Sequence, residues 1–340
     1  MNNNEPVLCV KDLVVEFDTY GGKVRAVRGV SYNVYAGETL AVVGESGSGK
    51  SVTVQALMGL IPMPPGRIVS GSAKLLGQEL IGLTQAELNR VRGANMAMIF
   101  QDPMTSLNPT MRIGDQIAET LRVHRGMSKQ SALKEATRLL ERTRIPDAAQ
   151  RIRQYPFEFS GGMLQRVMIA MSLACTPRLL IADEPTTALD VTIQDQVLEL
   201  MKELQREDQM AILLITHDLG VVARMADQVA VMYAGEVVES GTVDDIFYRA
   251  SHPYTQGLKQ AMPSMHQPGT EQLRAIPGSP PDLFAPPPGC AYHPRCPHAM
   301  EVCSRIAPAR WELDAEHASR CWLQHPDAPP RHSTQSGGIN

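Results

Sequence analysis

The sequence lacks any uninterrupted apolar run close to the roughly 20 residues that a membrane-spanning helix needs. Its strongest apolar stretches, LLIADE at 179–184 and AILLITHD at 211–218, stop early at charged residues. No span is expected, so any attachment to a membrane must run through partners. The start, MNNNEPVLCV, has no basic stretch, apolar core or small-residue cleavage site, and export is therefore not expected. In a reducing compartment the six cysteines read as thiols or metal ligands rather than disulfides. Positive charge is also not in excess: the net charge is -4 and the pI about 6.2, which removes nucleic acid as the default partner. No internal repeat is visible.

What is present is a chain that can bury a core. Hydrophobic residues make up 43% and charged residues 20%, outside the disordered class, and 340 residues suit one large domain with an extension. Apolar runs at 39–43, 179–182 and 211–215 each end in a polar or glycine-rich turn and read as buried strands. Helical spacing of apolar residues over 128–144 and 192–206 places helices between them, which predicts an α/β fold. From about Met262 to Gly289 prolines and glycines accumulate, as in PGSPPDLFAPPPG, and this predicts an extended connector to a second, smaller unit. The last residues, from 326, read as a disordered tail.

Residues 44–51, GESGSGKS, match G-x-x-x-x-G-K-[ST] after the strand ETLAVV and before the helical SVTVQALMGL. Gly44, Gly47 and Gly49 let the backbone turn its N–H groups toward phosphate oxygens, with Ser46 and Ser48 in the same loop. Lys50 is placed for the β- and γ-phosphates and Ser51 for magnesium. A glycine-rich turn that binds nothing has no need of a lysine aimed inward. In LLIADE, Asp183 and Glu184 end a buried strand where ligands of α/β sheets bind. Asp183 is the magnesium-side candidate, and Glu184 the group that orients or deprotonates water. The bland alternative, a helix cap or solvated strand end, is weaker with the P-loop upstream. His217 ends the strand AILLIT and could reach the γ-phosphate; a lone histidine there is more often structural, and its order after LLIADE favours the functional reading.

Between these motifs lies FSGGM, with Ser160, Gly161 and Gly162 before a helical MIAMSLAC. The ordered series GESGSGKS, Gln101 in IFQDP, FSGGM, LLIADEP, residues 188–190 and His217 resembles the nucleotide-binding domain of ABC ATPases over about residues 7–250. The resemblance implies a P-loop NTPase with a RecA-like core, a β-subdomain and a helical subdomain near 103–175. It also implies a head-to-tail dimer in which Ser160, Gly161 and Gly162 contact ATP held by the partner's P-loop. Gln101 would sense magnesium and water, and Asp190 would couple the two sites. Phe17 aligns best with the adenine-stacking aromatic, with Tyr20 close by. Phe159 and Met163 depart from the commonest signature and leave its glycines intact. The spacing excludes neighbouring classes: 110 positions separate Lys50 from Ser160, too few for the coiled-coil insertion of DNA-repair ATPases, and a second cassette is missing.

Cys290, Cys296, Cys303 and Cys321 have five, six and seventeen residues between neighbours, a possible four-sulfur metal site without the C-x-x-C pair of zinc ribbons. SHPYTQGL at 251–258, PGSPPDLF and GCAYHPRCPHAMEVC are similar to the C-terminal region of oligopeptide and dipeptide permease ATPases. That resemblance implies a 4Fe-4S cluster on these cysteines, with zinc or free thiols as alternatives. Cys9 and Cys175 read as ordinary buried thiols. It further implies peptide uptake powered with Mg2+ and ATP at the cytoplasmic face of the cell membrane, as a peripheral subunit. The expected partners are a paralogous second ATPase, two permeases and an extracytoplasmic peptide-binding protein, and no nucleic acid. Nickel or glutathione uptake, or a soluble ABC ATPase, are the alternatives. The expected organisation is an ATPase domain over 1–260, a cysteine-containing extension over 261–325 and the tail at 326–340. The proline-rich connector predicts an extension that stands apart from the nucleotide and takes no part in hydrolysis.

Overall fold

Two sheets organise the chain, and their strand composition explains which one lies deepest. The computed structural model describes residues 5–187, 189–262 and 276–329; Ala188, residues 263–275 of the connector and the tail from 330 onward lie outside the described residues. The central sheet has eight strands in the order Trp311–Glu312, Ala318–Ser319, Glu236–Thr242, Gln228–Tyr233, Thr39–Val43, Ala211–Thr216, Leu179–Asp183, Met96–Ile99. The five from Gln228–Tyr233 to Met96–Ile99 run parallel and the rest pair antiparallel.

A parallel sheet is covered on both faces, so its strands must be apolar on both sides. Successive side chains therefore enter different cores. Leu180, Ala182, Ile212 and Leu214 join the core that holds Ile117, Leu121, Leu139 and Leu140 of the helices Ile113–Arg125 and Lys129–Arg142. Leu179, Ile181, Leu213 and Ile215 join the opposite core, with Leu13, Val15, Val27 and Val30 of a four-stranded antiparallel sheet ordered Gly22–Val34, Leu8–Thr19, Gly66–Leu75, Gln78–Glu79. Helix starts follow local chemistry: Ser128 Oγ accepts from Ser131 N–H at 3.2 Å, and Asp190 Oδ1 from Ile193 N–H at 3.0 Å, ahead of the helix Val191–Asp208.

The C-terminal segment does not stand apart as its composition predicts. Ala318–Ser319 pairs with Glu236–Thr242 and extends the central sheet. Buried Glu239 receives Ser251 N–H at 2.6 Å and His252 N–H at 3.0 Å, and His317 Nε2 lies 2.9 Å from it. Ala291 and Tyr292 complete the first core. Composition reports how much apolar surface a segment carries, but not that a neighbouring domain supplies the rest of its core. The described part of the tail, 326–329, is anchored by Ala328 N–H on His325 O at 2.9 Å. Cys175 is buried, whereas Cys9 is only half-buried.

Candidate functional site

The strand Thr39–Val43 lies inside the sheet and delivers its chain to a loop that only glycine can follow at two points. Gly44 has φ +153° and Gly49 φ +100°; a Cβ would sit 2.1 Å from Met232 O at the first and 2.4 Å from Ala26 O at the second. The loop ends in the helix Lys50–Leu57. Lys50 is buried, and its Nζ donates to Gly44 O at 2.7 Å and Glu45 O at 3.0 Å. Burial holds its ammonium below the ordinary lysine range, opposed by the nearby Glu184, Asp183 and Glu45 carboxylates. Above the loop opens a cavity of about 750 Å3, lined by residues 44–52, Gln101, Glu184, Thr187 and His217, with Leu258 and Leu283. Such a volume suits a small-molecule site.

The carboxylates take different surroundings. Ser51 Oγ donates to Asp183 Oδ1 at 3.2 Å, and burial pushes the Asp183 carboxyl above its usual range. Glu184, at φ +49°, is gripped from three directions: Gln101 Nε2 donates to Oε2 at 3.0 Å, Thr187 Oγ1 donates to the same oxygen at 3.1 Å, and His217 Nδ1 lies 2.9 Å from Oε1. Strands Met96–Ile99, Leu179–Asp183 and Ala211–Thr216 thus bring Gln101, Glu184 and His217 together at their C-terminal ends, where their carriers are neighbours. Thr187 is absent from the sequence reading; a hydroxyl three residues beyond a strand-end acid in a tight turn is the signal for it.

Ser160, Gly161 and Gly162 do not line this cavity. They sit at the start of the helix Gly161–Ser172, with Ser160 exposed and its hydroxyl not used as a cap. A Cβ at Gly162 would lie 2.5 Å from Ile193 Cγ2, so glycine there lets the helix Val191–Asp208 approach. Asp190 caps that helix. Neither Phe17 nor Tyr20 lines the cavity: Phe17 packs beside Gly66 in the antiparallel sheet, and Tyr20 is fully exposed.

Cys290, Cys296, Cys303 and Cys321 line one small pocket of about 10 Å3 with His252, His293 and His298. Burial first, and then the neighbouring sulfurs, push the Cys290 thiol up to about 11 and that of Cys321 up to about 12. Among the described residues no group of three or more His, Cys, Asp or Glu side chains forms an arrangement that could hold a metal ion.

An ion pair links the cysteine-bearing turn to the P-loop, contrary to the separation expected from the connector. Arg295, next to Cys296, donates through Nη1 to Glu45 Oε2 at 2.7 Å and through Nη2 to Glu45 Oε1 at 3.0 Å. Leu283 of the connector is part of the P-loop wall, and its carbonyl accepts from Arg25 N–H at 3.1 Å. A proline-rich stretch fails to form helix or sheet internally but can still lie along a folded surface.

Comparison with known proteins places this geometry in a family. The chain is 57% identical to the oligopeptide transport ATP-binding protein OppD of Bacillus subtilis over 95% of this chain and 90% of that protein. The chain belongs to the ABC transporter family. The family model described as ABC transporter matches residues 27–187, and the one described as oligopeptide/dipeptide transporter, C-terminal region, matches residues 238–303. This ABC ATPase is also 54% identical to the dipeptide transport ATP-binding protein DppD of Bacillus subtilis, over 98% of both chains. Among solved structures, the dimeric post-hydrolysis state of the ATP-binding cassette MJ0796 bound to ADP and phosphate covers 69% of this ABC ATPase and 98% of that chain, with TM-score 0.62 and 26% identity.

Proposed function

We propose that this chain is the ATP-hydrolysing motor of a peptide importer, working through two membrane permease subunits supplied by an extracytoplasmic peptide-binding protein. The observation that carries this reading is one chain that joins an ABC cassette at 27–187 to the oligopeptide/dipeptide transporter C-terminal region at 238–303. Relatives named for oligopeptide and dipeptide transport align along nearly its whole length, which supports peptides over nickel or glutathione. Among the described residues no helix is long and apolar enough to cross a membrane. The proposed location is peripheral, at the cytoplasmic face of the cell membrane, docked on the permeases.

In this reading the P-loop amides and Lys50 hold the triphosphate, and the Ser51 hydroxyl and Asp183 carboxylate offer the hard oxygen ligands that Mg2+ prefers. Bound Mg2+ neutralises charge on the phosphates. Glu184 orients the attacking water and accepts its proton, while Gln101, Thr187 and His217 fix the rotation of that carboxylate. His217, half exposed, is free to contact the γ-phosphate. Ser160, Gly161 and Gly162 lie outside the cavity of their own chain, which supports their action on ATP held by a second, paralogous ATPase subunit. Asp190 at the adjoining helix start would couple the two sites. Phe17 remains the proposed adenine contact.

The four cysteines are proposed to hold a 4Fe-4S cluster, with zinc as the alternative. The support is chemical: four thiols share a cavity with His252, whose Nε2 is buried without a hydrogen-bond partner at normal distance. The side chains stand as free thiols, and ligation would require them to rearrange. Iron, sulfide and zinc analysis after anaerobic purification decides it: about four irons per chain supports the cluster, and one zinc without sulfide removes it. The transport reading is tested by reconstituting the chain with its permeases and a second ATPase in proteoliposomes. ATP hydrolysis that rises when the binding protein is loaded with peptide is the expected result; indifference to peptide with a response to nickel or glutathione overturns it. Purification of the transporter with two copies of this chain and no second ATPase would exclude the heterodimer.

A further inference from the structure

The turn between Cys290 and Cys296 is short and closed by its own backbone. His293 N–H donates to Cys290 O at 3.0 Å and Arg295 N–H to Tyr292 O at 3.0 Å, so the 3-10 turn His293–Arg295 presents Arg295 from between two of the clustered cysteines. The guanidinium does not point to solvent. Its side chain is 6% exposed, lies 5.9 Å from the ring centre of Tyr233 and 6.0 Å from that of Tyr292, and forms the two-pronged pair with Glu45. It also donates through Nε to Pro277 O at 2.9 Å and through Nη2 to Gly278 O at 3.3 Å, pinning the connector.

Glu45 is the second residue of the P-loop, and every polar group it has at this point is engaged. Its N–H donates to Tyr254 Oη at 2.8 Å, its carbonyl accepts from Lys50, and its carboxylate is taken by Arg295. Glu45 therefore fixes the approach of the loop to Lys50. Without Arg295, a carboxylate would stand unpaired at the edge of a cavity meant for a triphosphate, where like charge repels. Glu45 is a quarter exposed, so the pair is partly buried, and removing Arg295 leaves its carboxylate without the two-pronged partner.

We infer that Arg295 is a positioning residue of the nucleotide site, through which the folded state of the cysteine unit sets the affinity of the P-loop for ATP. The inference rests on the reading of the P-loop as the ATP site but assigns a role outside the cassette. Any ligation or loss of order at Cys290 and Cys296 acts on the turn that carries Arg295, and from there on Glu45.

The test uses the full purified chain and MgATP. Wild-type binding by calorimetry, and its loss in Lys50→Ala, verify the P-loop reading by themselves. Arg295→Ala should then weaken MgATP binding at least about fivefold, the scale of ordinary coupling between sites. In the assembled transporter it should raise KM for ATP with a smaller change in kcat. Arg295→Lys restores the charge without the fork and should recover part of the affinity. Cys296→Ser should weaken binding in the same direction, and the double variant should fall well short of the product of the two single effects. Amide hydrogen exchange over residues 44–48 should speed up in each variant. If Arg295→Ala unfolds, Glu45→Gln probes the pair from the other side and should shift affinity and exchange. Affinity within twofold of wild type in a stably folded Arg295→Ala variant overturns the inference, as does strict additivity of Arg295→Ala and Cys296→Ser.

Discussion

Replacing Glu184 by glutamine separates chemistry from structure because the surroundings of that side chain can accommodate the change. One carboxylate oxygen accepts from Gln101 Nε2 at 3.0 Å and Thr187 Oγ1 at 3.1 Å, and the other faces His217 Nδ1 at 2.9 Å. The amide oxygen of glutamine can keep the first two bonds. Its NH2 can donate to His217 Nδ1 once a neutral imidazole carries its proton on the other nitrogen. Shape and contacts persist, so Glu184→Gln should alter folding stability by under about 1 kcal/mol and leave MgATP affinity intact. The water-orienting base is nevertheless gone. General base catalysis contributes about 10²- to 10⁴-fold, so the barrier should rise by about 2.7–5.5 kcal/mol. The assay is phosphate release from the reconstituted transporter at saturating MgATP, beside calorimetric binding and thermal unfolding of the same preparation. Turnover within threefold of wild type would refute the base assignment. A fall in turnover matched by an equal fall in affinity would show that Glu184 acts by holding the nucleotide.

Lys50→Ala removes two bonds to the loop as well as the phosphate contact, and should weaken MgATP binding by about ten- to a hundredfold, measured by calorimetry. Glu239→Ala leaves His317 and two backbone N–H groups without their buried acceptor and should cost about 3–5 kcal/mol, with early proteolytic release of the C-terminal segment. Glu38 titrates at about 7 rather than 4.5, raised by burial and then by the carboxylates of Asp227 and Glu316. Between those values the folded chain binds a proton that the unfolded chain has lost, so stability should fall as pH rises through that window. After discounting for partial exposure the effect is about 1–2 kcal/mol. Urea unfolding at the two ends of the window should show it, and Glu38→Gln should flatten it.

The parts of the fold that were legible in the sequence share a local cause. The strands at 39–43, 179–183 and 211–216 are apolar at every position except their ends, which a parallel strand buried on both faces requires. The phosphate loop carries its geometry in consecutive residues, since Gly44 and Gly49 abut backbone carbonyls that no side chain could tolerate. The four-stranded antiparallel sheet is harder to read, because strands Leu8–Thr19 and Gly22–Val34 interleave charged and apolar residues and contain register shifts that break their alternation. What could not be read were contacts between distant segments: Arg295 with Glu45, Leu283 in the cavity wall, His317 with Glu239. Each involves a residue unremarkable among its neighbours. The extension was expected to stand apart because polar, proline-rich composition does not disclose the surface against which it lies.

Arg295 and Glu45 are 250 positions apart, which sets an order of events during synthesis. At about 5–20 residues per second, the phosphate loop leaves the ribosome roughly 10 to 50 seconds before its arginine exists. Every motif of the ATPase core is translated before Arg295, and until it follows, Glu45 has no counter-charge and the sheet still lacks the strand Ala318–Ser319. A nascent chain should thus acquire its full grip on ATP only after Arg295 has been translated. Messages cut short between the codons for His217 and Arg295 would yield ATPases with complete motifs and a poorly held nucleotide.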